Sequence, residues 1–190
     1  MNAPYITDAT YKRTPFSSAE LLNAEYDNCT FIDCDFTAMY LTSTVFLDCE
    51  FIDCNFSSAK IKNTAFKSVT FNNCKLLGTP FNASNPFLLE LSFVTCNLSL
   101  ASFYGLSLKN TAFTDCNLQK TDFTNADLSG AVLANCDLNQ ALFNNTNLEK
   151  ADLSSAKNLS ISPRYNKIKG AKFSKVNALG LLTDYKVVII

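Results

Sequence analysis

The sequence has no histidine and no tryptophan, and its 190 residues include only five glycines, five prolines and two methionines. Without histidine the chain lacks the commonest general base, the commonest metal ligand and the side chain that switches charge near neutral pH. No stretch approaches the ~18 apolar residues of a membrane-spanning helix, and residues 1–20 hold no apolar run long enough for the core of a secretory signal. An excess of one charge is missing as well. Sixteen basic and 17 acidic side chains leave a net charge of −1, too little to draw the chain onto nucleic acid or a membrane surface. Walker-type glycine loops, nucleophile elbows and a carboxylate pair set in a cleft are all lacking. These absences lead to the expectation of a cytoplasmic, non-enzymatic protein with reduced thiols, no cofactor and no bound metal.

Phenylalanine is abundant, with sixteen copies, and so is cysteine, with eight. Counting in fives from Phe16 gives Leu21, Tyr26, Phe31, Phe36, Leu41, Phe46, Phe51, Phe56, Ile61, Phe66, Phe71, Leu76 and Phe81, fourteen large apolar residues without a miss. The register slips by two near Pro86. It resumes at Leu88 and runs through Phe93, Leu98, Phe103, Leu108, Phe113, Leu118, Phe123, Leu128, Leu133, Leu138, Phe143, Leu148 and Leu153. Two residues before most of the large residues sits a smaller one, such as Cys34, Cys54, Ala59, Thr64, Cys96, Ala126 or Ala131. The position between the two is often Asp or Asn. A period of five fits neither the 3.6 of a helix nor the 2.0 of a flat strand. It fits a chain that turns a corner every five residues and points two side chains inward per unit.

Units such as Ala126-Asp127-Leu128-Ser129-Gly130 resemble the pentapeptide-repeat family over about residues 16–156, with a further pair at Ile168 and Phe173. The resemblance implies an all-β fold, a right-handed quadrilateral parallel β-helix with four units per coil. Twenty-eight units make about seven coils, a rod roughly 34 Å long at ~4.8 Å per coil. A four-unit coil stacks residues 20 apart, and the cysteines test this. Cys34, Cys54 and Cys74 are 20 apart, as are Cys96, Cys116 and Cys136, and the step between the two sets is 20 plus the slip. With Phe36 and Phe56, these six are assigned to the interior as compact fillers. Zinc or disulfide readings are the rivals, but the pairs Cys29/Cys34 and Cys49/Cys54 lack C-x₂-C spacing.

The sequence divides into an N-terminal cap (1–15), the repeat body (16–156) with a break near 82–87, and a C-terminal module (157–190). The break gathers Gly78, Pro80, Asn82, Ser84, Asn85 and Pro86, and is either an enlarged corner or a recognition loop presenting Phe87 and Leu89. Residues 1–58 carry two basic and nine acidic side chains, net −7, whereas residues 157–190 carry seven and one, net +6. Ser174 is placed to cap a short helix from Lys175 to about Thr183, and Tyr185 to Ile190 reads as a strand. The module is either a cap on the open end of the β-helix or a surface buried against a partner. Leu159 to Ile168, Lys169 to Phe173 and Leu179 to Leu182 resemble the end module of the Qnr, MfpA and McbG subgroup. That resemblance implies a homodimer joined end to end through Val176, Leu179, Leu182, Tyr185, Val187, Val188, Ile189 and Ile190.

The same resemblance implies a partner. Members of the subgroup bind the type II topoisomerases DNA gyrase or topoisomerase IV and counter quinolones or peptide toxins, acting as rods with the width and negative charge of duplex DNA. Such a rod needs a stripe of carboxylates matched to a basic DNA-binding surface. Stacking by 20 places Asp33, Asp35, Asp53, Asp115 and Asp137 along one edge, interrupted by Lys75, with Asp48 and Glu50 adding acid on neighbouring faces. The competing explanation is local: Asp and Asn recur because corners favour them. A structural scaffold with an unrelated protein partner is the alternative function.

Overall fold

A computed structural model describes residues 4–21, 23–185 and 187–188. The chain winds as a parallel β-solenoid with four faces per coil. On the first face lie β1 (Tyr5–Thr7), β3 (Glu25–Asp27), β5 (Val45–Leu47) and β7 (Ala65–Lys67). On the second lie β2 (Thr10–Lys12), β4 (Thr30–Ile32), β6 (Glu50–Ile52), β8 (Val69–Asn72), β9 (Leu91–Val94), β10 (Ala112–Thr114) and β11 (Val132–Ala134), one strand per coil. Isolated parallel bridges carry the third and fourth faces, for example Asp35 to Asn55 and Tyr40 to Lys60. The expected all-β quadrilateral helix is the fold.

Register is 20 residues throughout the first four coils: Glu25 pairs with Tyr5 and Val45, and Phe51 with Phe31 and Phe71. It still holds at Asn85, which bridges Ala65, and becomes 22 at Leu91, which pairs with Val69. The two extra residues therefore lie in 86–90, at the trailing edge of the expected break. Leu88 does not restart the inward column. It is exposed with φ +57°, while Leu89 turns back against the core and Leu91 fills the small inward slot. The solenoid also starts earlier than the 1–15 cap boundary, because β1 and β2 already pair with the next coil.

The interior is four columns of large side chains. On the second face Tyr11, Phe31, Phe51, Phe71, Phe93 and Phe113 stack with ring centroids 4.7–5.5 Å apart and planes within 15°. Phe36 and Phe56 stack likewise on the third face at 4.6 Å. Rings on adjacent faces of one coil meet edge to face, as Phe51 and Phe56 do at 89°, the geometry the aromatic quadrupole prefers. A repeat of five gives every coil the same four slots, so each ring meets a copy of its own environment above and below.

The small column does more than fill space. All eight cysteines are buried and free. Each thiol donates to the carbonyl of the large residue one coil back: Cys54 to Phe31 (3.3 Å), Cys74 to Phe51 (3.3 Å), Cys96 to Phe71 (3.3 Å) and Cys136 to Phe113 (3.4 Å). Cys34 and Cys116 make the same bond at 3.7 and 3.6 Å. Threonine does so where it occupies this position, Thr64 to Leu41 (2.7 Å), Thr121 to Leu98 (2.9 Å) and Thr146 to Phe123 (2.8 Å). The cysteines are thus donors as well as compact fillers. Burial raises the Cys34 thiol and takes that of Cys49 up to about 12.

This pairing gives a direct test. Thr64→Val keeps the shape but leaves the Leu41 carbonyl without its side-chain donor, and should cost about 1–3 kcal/mol. Thr64→Cys supplies a donor and should lie within about 1 kcal/mol of the parent. Denaturant midpoints of the two variants measure the difference; equal stability would show that the bond contributes nothing.

Candidate functional site

The corners set the outer surface. Among the described residues, 25 non-glycine residues have φ between 50° and 62°, and fourteen of them are Asp or Asn, the residues that tolerate the left-handed region best. Asp33, Asp53 and Asp115 occupy one such column, together with Arg13, Asn73, Thr95 and Asn135. Two residues on lies the column Asp35, Asn55, Lys75, Asn97, Asn117, Asp137 and Lys157, joined rung by rung in parallel bridges. The five sequence-predicted edge aspartates therefore do come together, along the corner between the second and third faces.

Neighbours hold these carboxylates. Arg13 Nε donates to Asp33 at 2.6 Å and Asn135 to Asp115 at 3.0 Å, while Asn73 donates to Asp53. Asp35 accepts the Thr37 hydroxyl and its backbone N–H at 2.9 Å, and these bonds hold its carboxyl below the ordinary range. Partial burial pushes Asp137 upward, but Asn158 and Gln119, each at 2.7 Å, and the Asn139 N–H outweigh it and lower it overall. Lys75 is not the only base on the edge. Arg13 heads one column and Lys157 ends the other, so five carboxylates share the corner with three cations.

Asp48 and Glu50 lie elsewhere, at the corner between the first and second faces and on the outer side of β6. Near the middle of that corner a groove of about 770 Å³ opens where residues 86–90 bulge. Of the loop residues, Phe87 is 67% exposed as expected, whereas Leu89 is packed inward and Leu88 takes the outer position.

The C-terminal module closes the rod. Ser174 Oγ accepts the Asn177 N–H at 3.1 Å, the cap that the sequence indicates, but the helix is a 3-10 helix over Asn177–Tyr185. Asn177 Nδ2 donates to the Leu153 and Ala156 carbonyls at 2.9 and 2.6 Å. Gly180 lies so close to Leu159 that a Cβ there would meet its carbonyl oxygen at 2.1 Å. Leu181 packs on the core, while Val176 (76%), Leu179, Leu182, Tyr185, Val187 and Val188 (88%) face outward. Among the described residues the strand expected from Tyr185 does not appear: Tyr185 ends the helix, and Val187 and Val188 belong to no strand. Ile189 and Ile190 lie outside the described residues.

The model for the pentapeptide repeat region matches residues 6–81, 64–143 and 90–173. The chain is a pentapeptide-repeat protein. Among solved structures, a trypsin-treated form of QnrB1, a plasmid-mediated fluoroquinolone resistance protein, is similar with a TM-score of 0.52 at 21% identity, covering 99% of this chain and 98% of that one. Full-length QnrB1 gives 0.40 at 20%, over 96% and 100% of the two chains. HetL from the cyanobacterium Nostoc, a pentapeptide-repeat protein involved in heterocyst differentiation regulation, gives 0.46 at 17%, over 90% and 83%. The first of these likenesses supports the fold. No curated protein sequence matches the chain. Among the described residues, no helix is long and apolar enough to cross a membrane.

What the sequence reading of this pentapeptide-repeat protein missed is a second corner motif. Where Asp or Asn precedes a large inward residue, it accepts the N–H two positions on: Asp35 from Thr37, Asn97 from Ser99, Asp127 from Ser129, Asn147 from Glu149 and Asp152 from Ser154, at 2.9–3.2 Å. The signal was present, since Ser or Thr recurs at that second position. Because Asn accepts the bond as well as Asp does, Asp35→Asn should leave stability at pH 7 within about 0.5 kcal/mol, and Asp35→Ala should cost about 1 kcal/mol. The Asp35 carboxyl is depressed in the fold, so its stabilisation is present above its ordinary value and lost as pH falls through the lower folded value, below about pH 4. Melting curves between neutral and acid pH should show Asp35→Asn losing less stability below that point than the parent.

Proposed function

We propose that the chain is a non-enzymatic binding rod that occupies the DNA-binding surface of a type II topoisomerase, DNA gyrase or topoisomerase IV, and protects it from a quinolone or a peptide toxin. The observation that carries this reading is the corner bearing Asp33, Asp35, Asp53, Asp115 and Asp137, fixed in place and projecting from a filled rod. Rungs ~4.8 Å apart hold the five carboxylates, which outnumber the three cations of the corner, at fixed heights, where they can face a partner's cations without reorganising. A solid interior leaves recognition to the surface. QnrB1, which shares the fold, is a plasmid-mediated fluoroquinolone resistance protein, and this supports the quinolone arm of the reading. The apolar outer face of the C-terminal module, headed by Val176 and Val188, supports an end-to-end homodimer that doubles the length of the acidic corner.

A second reading has its own observation. Each of these aspartates also serves a corner, at positive φ or in the two-residue turn bond, and a scaffold protein would need no more.

Triple charge reversal of Asp33, Asp53 and Asp115 to Lys separates the two readings. Lys120 and Lys150 already occupy equivalent left-handed corner positions, so the fold should survive. In a gyrase supercoiling assay with and without a quinolone, the parent should alter activity at micromolar concentration and the variant should lose at least about tenfold in potency. A parent without effect, or a variant as potent as the parent, contradicts the proposal. For the dimer, Val176→Glu with Leu179→Glu should abolish the end-to-end form, read in solution scattering as a maximum dimension cut from about two rod lengths to one.

A further inference from the structure

The first face and its corner with the second carry a charge pattern that the proposed function does not use. The same lengthwise columns bear acids near the N-terminal end and lysines near the C-terminal end. One column runs from Glu25 through Val45 and Ala65 to Asn85, and beyond the bulge from Ser107 through Asp127 and Asn147 to Lys167. Its neighbour two residues on holds Asp27 at one end and Lys169 at the other. The corner column has Asp48 and Lys150, both at positive φ. On the second face an unbroken ladder leads from Glu50 through Thr70, Ser92, Ala112, Val132 and Asp152 to Lys172. The end charges have the same polarity in all four columns, while Lys67, Asp127, Glu149 and Asp152 run against it within them.

Midway along this surface the ladder of the first face is interrupted. Asn85 bridges Ala65 and Ser107 bridges Asp127, but no bridge joins Asn85 to Ser107 among the described residues. Residues 86–90 bulge outward there, with Phe87 and Leu88 exposed, and beside them lies the groove floored by Val69, Leu91 and Ala112 and flanked by Lys67 and Lys109. An apolar knob thus stands at the centre beside a groove walled largely by polar and charged residues, among them Lys67, Glu90, Lys109 and Asn110, with opposite charges toward the two ends.

We propose that this surface pairs two copies of the chain side by side and antiparallel, the 86–90 loop of each seated in the groove of the other. A two-fold axis lying in the interface, perpendicular to the rods, keeps each column opposite itself and reverses its direction. With the axis between the loop rung and the Lys109 rung, the Glu25 and Asp27 rung meets the Lys167 and Lys169 rung three steps beyond. The next rung in brings Asp48 opposite Lys150, with Glu149 on the same rung as that lysine, and the rung after it brings Lys67 to the rung of Asp127, whose carboxylate lies 3.5 Å from Lys109 of its own chain. Asp152, the acid on the Lys150 rung that faces Glu50, is already neutralised by Lys172 at 3.3 Å. Phe87 and Leu88 supply the buried centre and the charges the rim, the usual division of an interface. This interface is separate from the acidic corner and from the C-terminal face, and it does not depend on a topoisomerase partner.

The experiment uses the full chain carrying Val176→Glu and Leu179→Glu, so that end-to-end contact is removed. Sedimentation should show a dimer, and solution scattering a maximum dimension near that of one rod rather than two. Glu25→Lys with Asp27→Lys should weaken dimerisation at least about tenfold, as should Lys167→Glu with Lys169→Glu. An equimolar mixture of the two charge-reversed chains should dimerise like the parent, which misfolded variants would not do. Raising salt to about 1 M, where the screening length is ~3 Å, should weaken the parent dimer. A monomeric parent at about 100 μM, a dimer twice as long as the rod, or a mixture that fails to pair would overturn the proposal.

Discussion

Everything in this molecule depends on the bond between one coil and the next at a fixed spacing of 20 residues. The large inward residue stacks on its counterpart, and the small one donates from sulfur or oxygen to the carbonyl one coil back, as Cys54 does to Phe31 and Thr64 to Leu41. Neither contact can shift by one residue without turning an inward side chain outward. Stacking and donation therefore fix the same register independently, and the corners follow from it. Where two residues are added, the coil does not absorb them. It expels Phe87 and Leu88 and recovers at Leu91.

Because the interior is the same at every level, the outer residues are free to differ. Each column on the surface is a straight row at a spacing of ~4.8 Å, so a charge placed in the sequence becomes a charge at a known height on a known corner. The chain uses this freedom unevenly. Carboxylates gather on the corner of Asp33, Asp53 and Asp115, whereas lysines gather in the last coils at Lys150, Lys167, Lys169 and Lys172. A net charge of −1 conceals a molecule with strong local fields. Corner chemistry and recognition are not exclusive here: an aspartate bound through one oxygen, like Asp35 to Thr37, still presents its negative charge outward.

The fold was legible in the sequence because its period is carried by residues that have no other reason to recur every five positions. Phe36, Phe56 and the six stacked cysteines could be placed inside from spacing alone, and the five edge aspartates could be placed on one corner. What spacing could not show was where the chain leaves the pattern. Leu88 sits in the numerical register yet Leu89 enters the core, because the loop closes through the Glu90 N–H to Phe66 and the Ser68 hydroxyl to Glu90. The N-terminal strands were missed because Ile6 and Tyr11 stand before the first phenylalanine of the count. Tyr185 departs from the expected strand for a tertiary reason: Asn177 and Gly180 bind the module to Leu153, Ala156 and Ile161, and the helix runs on through Tyr185. Arg13 and Lys157, which moderate the acidic edge, lay just beyond the assumed ends of the repeat.

The central functional claim is that the acidic corner takes the place of DNA on an enzyme that binds DNA. The most direct measurement is the affinity of the purified chain for DNA gyrase across a salt series, with and without competing duplex DNA. Binding through the carboxylate corner should be micromolar or tighter at low salt, weaken steadily as salt rises, and be displaced by duplex. Binding that ignores both salt and DNA, or no binding at micromolar concentration, would contradict it.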